Sequence, residues 1–241
     1  MLKAISRQIS GAKYLLTHPH QLKWVLTREI SFRQRKKSKT KWVEWQKYDA
    51  NMHILMMQAH PEAMSVNALN LDRLKIFKDL VDSIAPVGLQ ILDVGCGDGV
   101  LSEPLMKKGH FVVAIDLPTI ATSEQKTKVS SVLVNDAETL SFVDETFDLI
   151  IASEVLEHLW APKYFISEAC RTLKSEGTLI IETPEGLAGL NYDSHLDFYT
   201  VEKLEKMLSP NFTLKKVERL AATGSAQTPT IILLFRKVNS C

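Results

Sequence analysis

The chain has 241 residues, of which 45% are hydrophobic and 24% are charged, and its formal net charge is +1. These fractions are typical of a globular protein with room for one α/β domain and an extension. No stretch approaches the roughly 18 apolar residues of a membrane-spanning helix. The three cysteines are too few and too scattered for a disulfide framework or a zinc site. Composition therefore argues against a membrane-spanning protein, a disulfide-rich protein and a cysteine-based zinc site, and it favours a reducing, cytoplasmic location.

The charge is unevenly distributed along the chain. Residues 1–50 contain 12 Lys and Arg against 3 Asp and Glu, whereas the rest contains 17 against 25. Five of the basic residues lie in RQRKKSK, at 33–39. Such a block attracts anionic lipid or polyanions, although a solvated basic face is the commoner role. We expect a helical, basic extension over residues 1–70, followed by the main domain over residues 71–241.

The hydrophobic pattern predicts an α/β domain. A helix rich in Trp and Met is predicted at 41–68, and an amphipathic helix capped by Asn70 or Asp72 runs to about Ala85. From Leu89 onward strands alternate with helices, which indicates a parallel sheet. The predicted strands are 89–94, 110–116, 131–135, 147–153, 178–183, 211–219 and 230–238. The predicted helices between them are 100–108, a weak one near 119–128, 162–174 and 201–208.

The most informative stretch is ILDVGCGDG, residues 91–99. Its glycines at every second position allow a tight turn and let a ligand approach backbone N–H groups. Asp116 follows 21 residues after Gly95, where a parallel α/β sheet places a carboxylate that binds ribose hydroxyls. A dinucleotide fingerprint would need another glycine at the position of Val100, so a nicotinamide or flavin site is disfavoured.

The D-x-G-x-G-x-G pattern resembles motif I of the class I S-adenosylmethionine-dependent methyltransferases. The resemblance implies a Rossmann-like, doubly wound sheet of seven strands whose last strand is antiparallel. It also implies S-adenosyl-L-methionine as the cofactor. The implied cofactor-binding residues are Asp93, Gly95, Cys96 and Gly97 for the methionine half, Asp116 for the ribose, Leu117 beneath the adenine, Asp136 with Ala137 of the D-A-E segment at the adenine amine, and Ser153 at the end of the fourth strand. Simpler roles stay open, since Asp116 could cap the next segment and Asp136 could be a turn residue.

FDLIIASEVLEHL, residues 147–159, resembles motif IV of small-molecule methyltransferases, including those that methylate quinone precursors. The N-P-P-Y type segment of many base-modifying enzymes is absent, so nucleic acid is not expected as a partner. Glu154, Glu157 and His158 are spaced to share one face of a helical turn. Three roles stay open for them: structural capping, His158 as a general base, and a divalent metal of the kind that the quinone-precursor branch suggests. A metal is not our first expectation.

HLDFYT, residues 195–200, resembles the H-x-x-x-F/Y-[ST] segment that the family places over its active site. The resemblance implies that His195 is a second catalytic or substrate-contacting residue, and Thr200 should cap the helix that follows. We therefore expect a methyltransferase that acts on a small molecule, with oxygen preferred as the acceptor atom. The alternatives are an enzyme of lipid-linked or polyprenyl substrates docked peripherally on a membrane by the basic N-terminus, a non-catalytic cofactor-binding module, and an RNA methyltransferase.

Overall fold

A computed structural model describes residues 71–117, 132–187, 195–221 and 229–238. The predicted extension, its basic segment, the domain boundary at residue 70 and the weak helix at 119–128 lie outside these residues. Within them, no helix has both the length and the apolar character needed to cross a membrane.

Seven strands form one sheet in the order β3-β2-β1-β4-β5-β7-β6. The strands are β1 Gln90–Val94, β2 Phe111–Asp116, β3 Leu133–Val134, β4 Phe147–Ser153, β5 Leu173–Pro184, β6 Phe212–Leu220 and β7 Thr230–Lys237. The helices are α1 Leu71–Ile84, α2 Ser102–Lys107, α3 Pro162–Thr172 and α4 Val201–Leu208, with a 3₁₀ turn at Leu156–His158.

Strands β3, β2, β1, β4 and β5 pair in parallel, and β7 lies antiparallel between β5 and β6. The predicted seven-stranded sheet with an antiparallel last strand is therefore confirmed. The strand order changes direction between β1 and β4, so the crevice for a ligand lies at the carboxyl ends of these two central strands.

Both faces of the sheet are covered, because side chains alternate between the faces along each strand. In β1, Ile91 faces the core that α1 and α2 complete, whereas Leu92 faces the core that α3 and α4 complete. All three apolar residues of β1 are almost fully buried. This two-sided burial explains the near-continuous apolar runs from which the strands were predicted.

Two predicted boundaries are wrong. Helix α3 ends at Thr172 instead of 174, and β5 begins at Leu173 instead of 178. Leu173 already pairs with Phe147, and the register then shifts across a bulge before Thr178. Glu176 occupies this bulge with a φ of +60°, a backbone conformation that favours glycine. The early end of the helix follows from this pairing, which local periodicity does not reveal.

Of the two residues predicted to cap α1, Asp72 does not cap it. The helix begins at Leu71, so Asp72 lies inside the first turn and does not cap it. An acid there still interacts favourably with the positive end of the helix dipole. The observed β3 has two residues, against the five predicted at 131–135.

Candidate active site

The glycine loop folds over the carboxyl end of β2. The N–H groups of Gly95 and Cys96 both donate to the carbonyl oxygen of Ile115, at 2.9 and 3.1 Å. The N–H of Gly97 donates to Oδ2 of Asp116 at 2.9 Å. These bonds bring the predicted methionine-binding loop and the predicted ribose-binding acid into direct contact.

Gly95 and Gly97 are glycines for different reasons. Both have a positive φ, of +66° and +54°. A Cβ on Gly95 would lie 2.6 Å from Cγ2 of Val155, whereas a Cβ on Gly97 would meet nothing within 4 Å. Gly95 thus lets the loop after β1 pack against the loop after β4, and the space beside Gly97 is open to a ligand.

Asp93 is directed into the fold. It is 1% exposed, and its Oδ2 accepts a hydrogen bond of 2.6 Å from the hydroxyl of Ser102 at the start of α2. Burial raises the pKa of Asp93 to about 7 against the effect of this bond, and the negative charge of Asp116 adds to the rise. Asp93 therefore ties β1 to α2 below the loop, and its predicted contact with the cofactor stays a prediction.

Cys96 is buried within the same loop. Burial raises the pKa of its thiol, and the nearby carboxylates of Asp93 and Asp116 raise it further. The sulfur is therefore a neutral thiol at working pH and does not act as a nucleophile.

The loop after β3 reaches the same edge of the sheet. The N–H of Asn135 donates to the carbonyl oxygen of Asp116 at 3.0 Å. Oδ1 of Asp136 accepts from the N–H of Glu138 at 2.9 Å, so Asp136 does form the turn that was its simpler role. Ala137 is buried beside it, and the N–H of Leu117 donates to Asp116 Oδ1 at 2.7 Å. The residues predicted for the adenine and ribose therefore lie on adjoining loops.

Ser153 belongs to a buried charged network that the sequence did not reveal. Its hydroxyl donates to Oε2 of Glu182 at 2.5 Å and accepts from Nη2 of Arg73 at 2.6 Å. Nε of Arg73 donates to the same Glu182 oxygen at 2.8 Å. Arg73 precedes Phe77 by four residues on the buried face of α1, and Glu182 interrupts an apolar strand. A charged residue on the buried face of a helix and another within an apolar strand form a pattern that could have predicted this ion pair.

Three carboxyl groups lie near this one guanidinium, those of the buried Glu182 and Glu157 and of the half-buried Glu154. Burial raises the pKa of Glu182 to about 7, opposed by Arg73, and raises the pKa of Glu154 to about 8, helped by the charge of Glu157. Burial also raises the pKa of Glu157. The pocket holds more acids than cations, so it favours protons or another positive charge.

The two predicted catalytic histidines, His158 and His195, lie together although 37 positions separate them. Their rings form a T-shaped pair with centroids 4.8 Å apart. Between the histidines and the sheet lies Glu157, whose Oε2 accepts from the hydroxyl of Thr183 at 3.0 Å. Its Oε1 is buried and has no hydrogen-bond partner among the described residues.

The arrangement of the EVLEH segment differs from the predicted helical turn. Only residues 156–158 form a turn of 3₁₀ helix, and Glu154 precedes it with a φ of +56°. The cluster with metal-ligand spacing is instead Glu157, His158 and His195, whose ligand atoms all lie within 4.8 Å of one another. This set of one carboxylate and two imidazoles fits a divalent cation, so the metal role stays open with His195 in the place of Glu154.

Comparison with known families and proteins agrees with this geometry. Residues 92–181 match the family model described as a methyltransferase domain. The ubiquinone biosynthesis O-methyltransferase of Rattus norvegicus is 34% identical over 151 residues, which cover 52% of this chain and 44% of that protein. The enzyme of the same name from Bartonella bacilliformis is 32% identical over 165 residues, covering 58% and 66%. The chain thus spans less than half the length of the rat relative.

Solved structures share the fold at low sequence identity. The N-methyltransferase NodS from Bradyrhizobium japonicum, in complex with S-adenosyl-L-homocysteine, has a TM-score of 0.61 and 18% identity over 88% of this chain and 99% of that one. A putative methyltransferase from Bacillus halodurans has a TM-score of 0.58 and 20% identity over 68% and 99%. Residues 92–181 thus match a methyltransferase domain, and the described fold is that of methyltransferases of known structure.

Proposed function

We propose that this protein transfers the methyl group of S-adenosyl-L-methionine to an oxygen atom of a small molecule. The observation that carries the proposal is the pairing of His158, on the chain that follows β4, with His195, on the chain that follows β5. Val155, which precedes His158 by three residues, packs against Gly95 of the glycine loop, so the histidine pair is linked through His158 to the wall of the proposed cofactor crevice. The relatives named as O-methyltransferases support oxygen as the acceptor.

The cofactor would occupy the crevice at the ends of β1 and β2. Gly95, Cys96 and Gly97 would line its methionine half, with Asp93 supporting the loop from below. Asp116 would hold the ribose, because it ends β2 at the carboxyl edge of the sheet and its carboxylate contacts the glycine loop through the N–H of Gly97.

The remaining cofactor contacts would come from neighbouring strands. Leu117 and Ala137 would flank the adenine, and Asp136 would accept a hydrogen bond from its amine. Ser153 would line the side of β4, held by Glu182 and Arg73.

The acceptor chemistry follows from the histidine pair. The sulfonium supplies a methyl group that needs only an aligned nucleophile. The acceptor oxygen forms its bond to carbon as the carbon–sulfur bond breaks, and the hydroxyl proton passes to an imidazole nitrogen. A phenol has a pKa of about 10, far closer to that of histidine, about 6.5, than an aliphatic hydroxyl has. A phenolic acceptor therefore suits these residues best.

The test is methyl transfer from radiolabelled S-adenosyl-L-methionine to 3,4-dihydroxybenzoate, a soluble phenolic probe. We expect His158→Gln and His195→Gln each to lower kcat by about 100-fold or more, the usual contribution of a general base, while binding of S-adenosyl-L-homocysteine changes little. Transfer that survives both substitutions would contradict the role of the histidines. Treatment with EDTA separates the metal role, since a metal held by Glu157, His158 and His195 predicts loss of transfer and its recovery with added divalent cation.

A second candidate is the methylation of a lipid-linked or polyprenyl acceptor at a membrane surface. The basic segment 33–39 and the relatives named for ubiquinone biosynthesis favour it. Sedimentation with vesicles that contain anionic lipid tests it. Binding should weaken as salt is raised from 0.05 to 0.5 M, because salt screens surface charge, and should disappear when residues 1–40 are removed. Equal sedimentation of the shortened chain would contradict this candidate.

Two further readings have direct tests. A non-catalytic module would bind the cofactor and transfer its methyl group to no acceptor. An RNA methyltransferase would bind polyanions with an affinity that falls steeply with salt.

A further inference from the structure

The segment 195–200 carries His195 but has almost no secondary structure of its own. Within the described residues, its β-type pairing is limited to an isolated bridge between Tyr199 and Glu185, the residue after β5. Side-chain contacts made by its neighbours in the segment therefore contribute to the position of His195.

One ammonium group makes several of these contacts. Nζ of Lys203, in the first turn of α4, donates to Oδ1 of Asp197 at 2.6 Å and to the carbonyl oxygen of Phe198 at 2.6 Å. The same Nζ lies 4.8 Å from the ring centroid of Phe198 and 4.7 Å from that of Tyr199. A cation over an aromatic face is attracted to it, so Lys203 joins three consecutive residues of the segment.

The segment is joined in turn to the residues that carry His158. The hydroxyl of Tyr199, which is fully buried, donates to the carbonyl oxygen of Leu156 at 3.1 Å. The N–H of Leu196 donates to the carbonyl oxygen of Glu157 at 2.6 Å. These two bonds flank the histidine pair from the side of the segment, and Lys203 holds the residues between them.

We infer that Lys203 is a positioning residue, whose ammonium group fixes the segment 195–200 so that His195 stays against His158. An ordinary helix cap at this place would carry an acid at the third helical position to bind the N-cap N–H. Lys203 occupies that position and binds the preceding segment instead. The effect on methyl transfer rests on the function proposed above, whereas the effect on the histidine pair does not.

The alternative is a surface salt bridge between Lys203 and Asp197 that contributes only to stability. Exposed pairs of this kind contribute little, and their loss does not change the geometry of a site. The two roles predict different results for the same substitution, because only a positioning role alters the environment of His195.

The experiment compares Lys203→Met, which keeps the aliphatic stem, with Lys203→Arg, which keeps the charge. Lys206→Met is the matched control, since Lys206 is exposed on the same helix. The first readout is NMR of the full chain, following the His195 imidazole signals and the exchange of the Leu196 amide with deuterium. We expect Lys203→Met to shift the imidazole signals and speed the exchange at least tenfold, Lys203→Arg to restore most of both, and Lys206→Met to match the wild type.

The second readout is kinetic. Lys203→Met should lower kcat/KM for 3,4-dihydroxybenzoate about tenfold while the Kd for S-adenosyl-L-homocysteine stays within twofold. Unchanged imidazole signals and amide exchange in Lys203→Met would overturn the inference, whatever the activity. If the wild type does not methylate the probe, the proposed function fails and the NMR still decides the inference. If Lys203→Met does not fold, Asp197→Asn removes the ion pair and the same NMR readouts decide.

Discussion

Substitution of Gly95 by alanine should destabilise the fold for two reasons, backbone strain and steric overlap with Val155. At a φ of +66° any residue with a Cβ is strained by about 1–2 kcal/mol. The added methyl would also lie 2.6 Å from Val155 Cγ2, and overpacking of a buried site costs about 1–3 kcal/mol more. We expect Gly95→Ala to lower the free energy of unfolding by about 2–5 kcal/mol, the sum of both costs.

Gly97→Ala is the matched control. Its φ of +54° imposes the same strain, but nothing lies within 4 Å of the added methyl. We expect this variant to lose only about 1–2 kcal/mol. The assay is urea unfolding followed by circular dichroism in the absence of cofactor, with the dependence on urea concentration compared between variants.

A double-mutant cycle tests the contact itself. Val155→Ala removes the methyl group that Gly95→Ala would meet, so the double variant should recover about 1–3 kcal/mol relative to the sum of the single changes. Equal losses for Gly95→Ala and Gly97→Ala, with additivity between positions 95 and 155, would show that the two loops do not pack as described.

Three other substitutions test the packing around the site. Arg73→Met should lower the free energy of unfolding by about 3–5 kcal/mol because it leaves the buried Glu182 carboxylate without its partner. The double variant Arg73→Met/Glu182→Gln should lose less than Arg73→Met alone, and an equal or greater loss in the double variant would contradict this reasoning. Burial, helped by the charge of Lys108, lowers the pKa of His110. Its contribution to stability should therefore be complete above pH 6.5, the ordinary value, and decline as the pH falls below it; urea unfolding at pH 5.5 and 7.5 should show a smaller difference in His110→Asn. Lys237→Met should lower the melting temperature, since the buried ammonium of Lys237 donates to the carbonyl oxygen of Leu173, the first residue of β5.

The parts of the fold that local pattern controls could be predicted from the sequence. Ile91 and Leu92 are both apolar because they pack into cores on opposite faces of the sheet. Such burial on two sides produces the continuous apolar run from which a strand can be predicted. The same holds for the cap of α4, where Oγ1 of Thr200 accepts from the N–H of Lys203 at 3.2 Å, as the prediction required.

Features that depend on distant pairing could not be predicted in the same way. The bulge at Glu176 arises because Leu173 already pairs with Phe147, which is a property of the sheet. The network of Arg73 and Glu182 joins residues 109 positions apart, and neither matches a family motif.

The candidate site combines residues that motifs predicted with an arrangement that only the fold shows. His158 and His195 were each proposed from a motif, but only the fold could show that their rings pair. The metal role that stayed open for Glu154, Glu157 and His158 assumes spacing along a helix, and the left-handed residue at 154 breaks that spacing.

The most direct test of the account is calorimetric titration of S-adenosyl-L-methionine and S-adenosyl-L-homocysteine into the wild type and Asp116→Ala. We expect micromolar binding by the wild type and at least tenfold weaker binding by Asp116→Ala. Tenfold is about 1.4 kcal/mol, a modest loss for hydrogen bonds to a charged group. Equal affinities would remove Asp116 from the ribose site. Failure of the wild type to bind either compound would contradict the proposed methyl transfer and leave the fold alone.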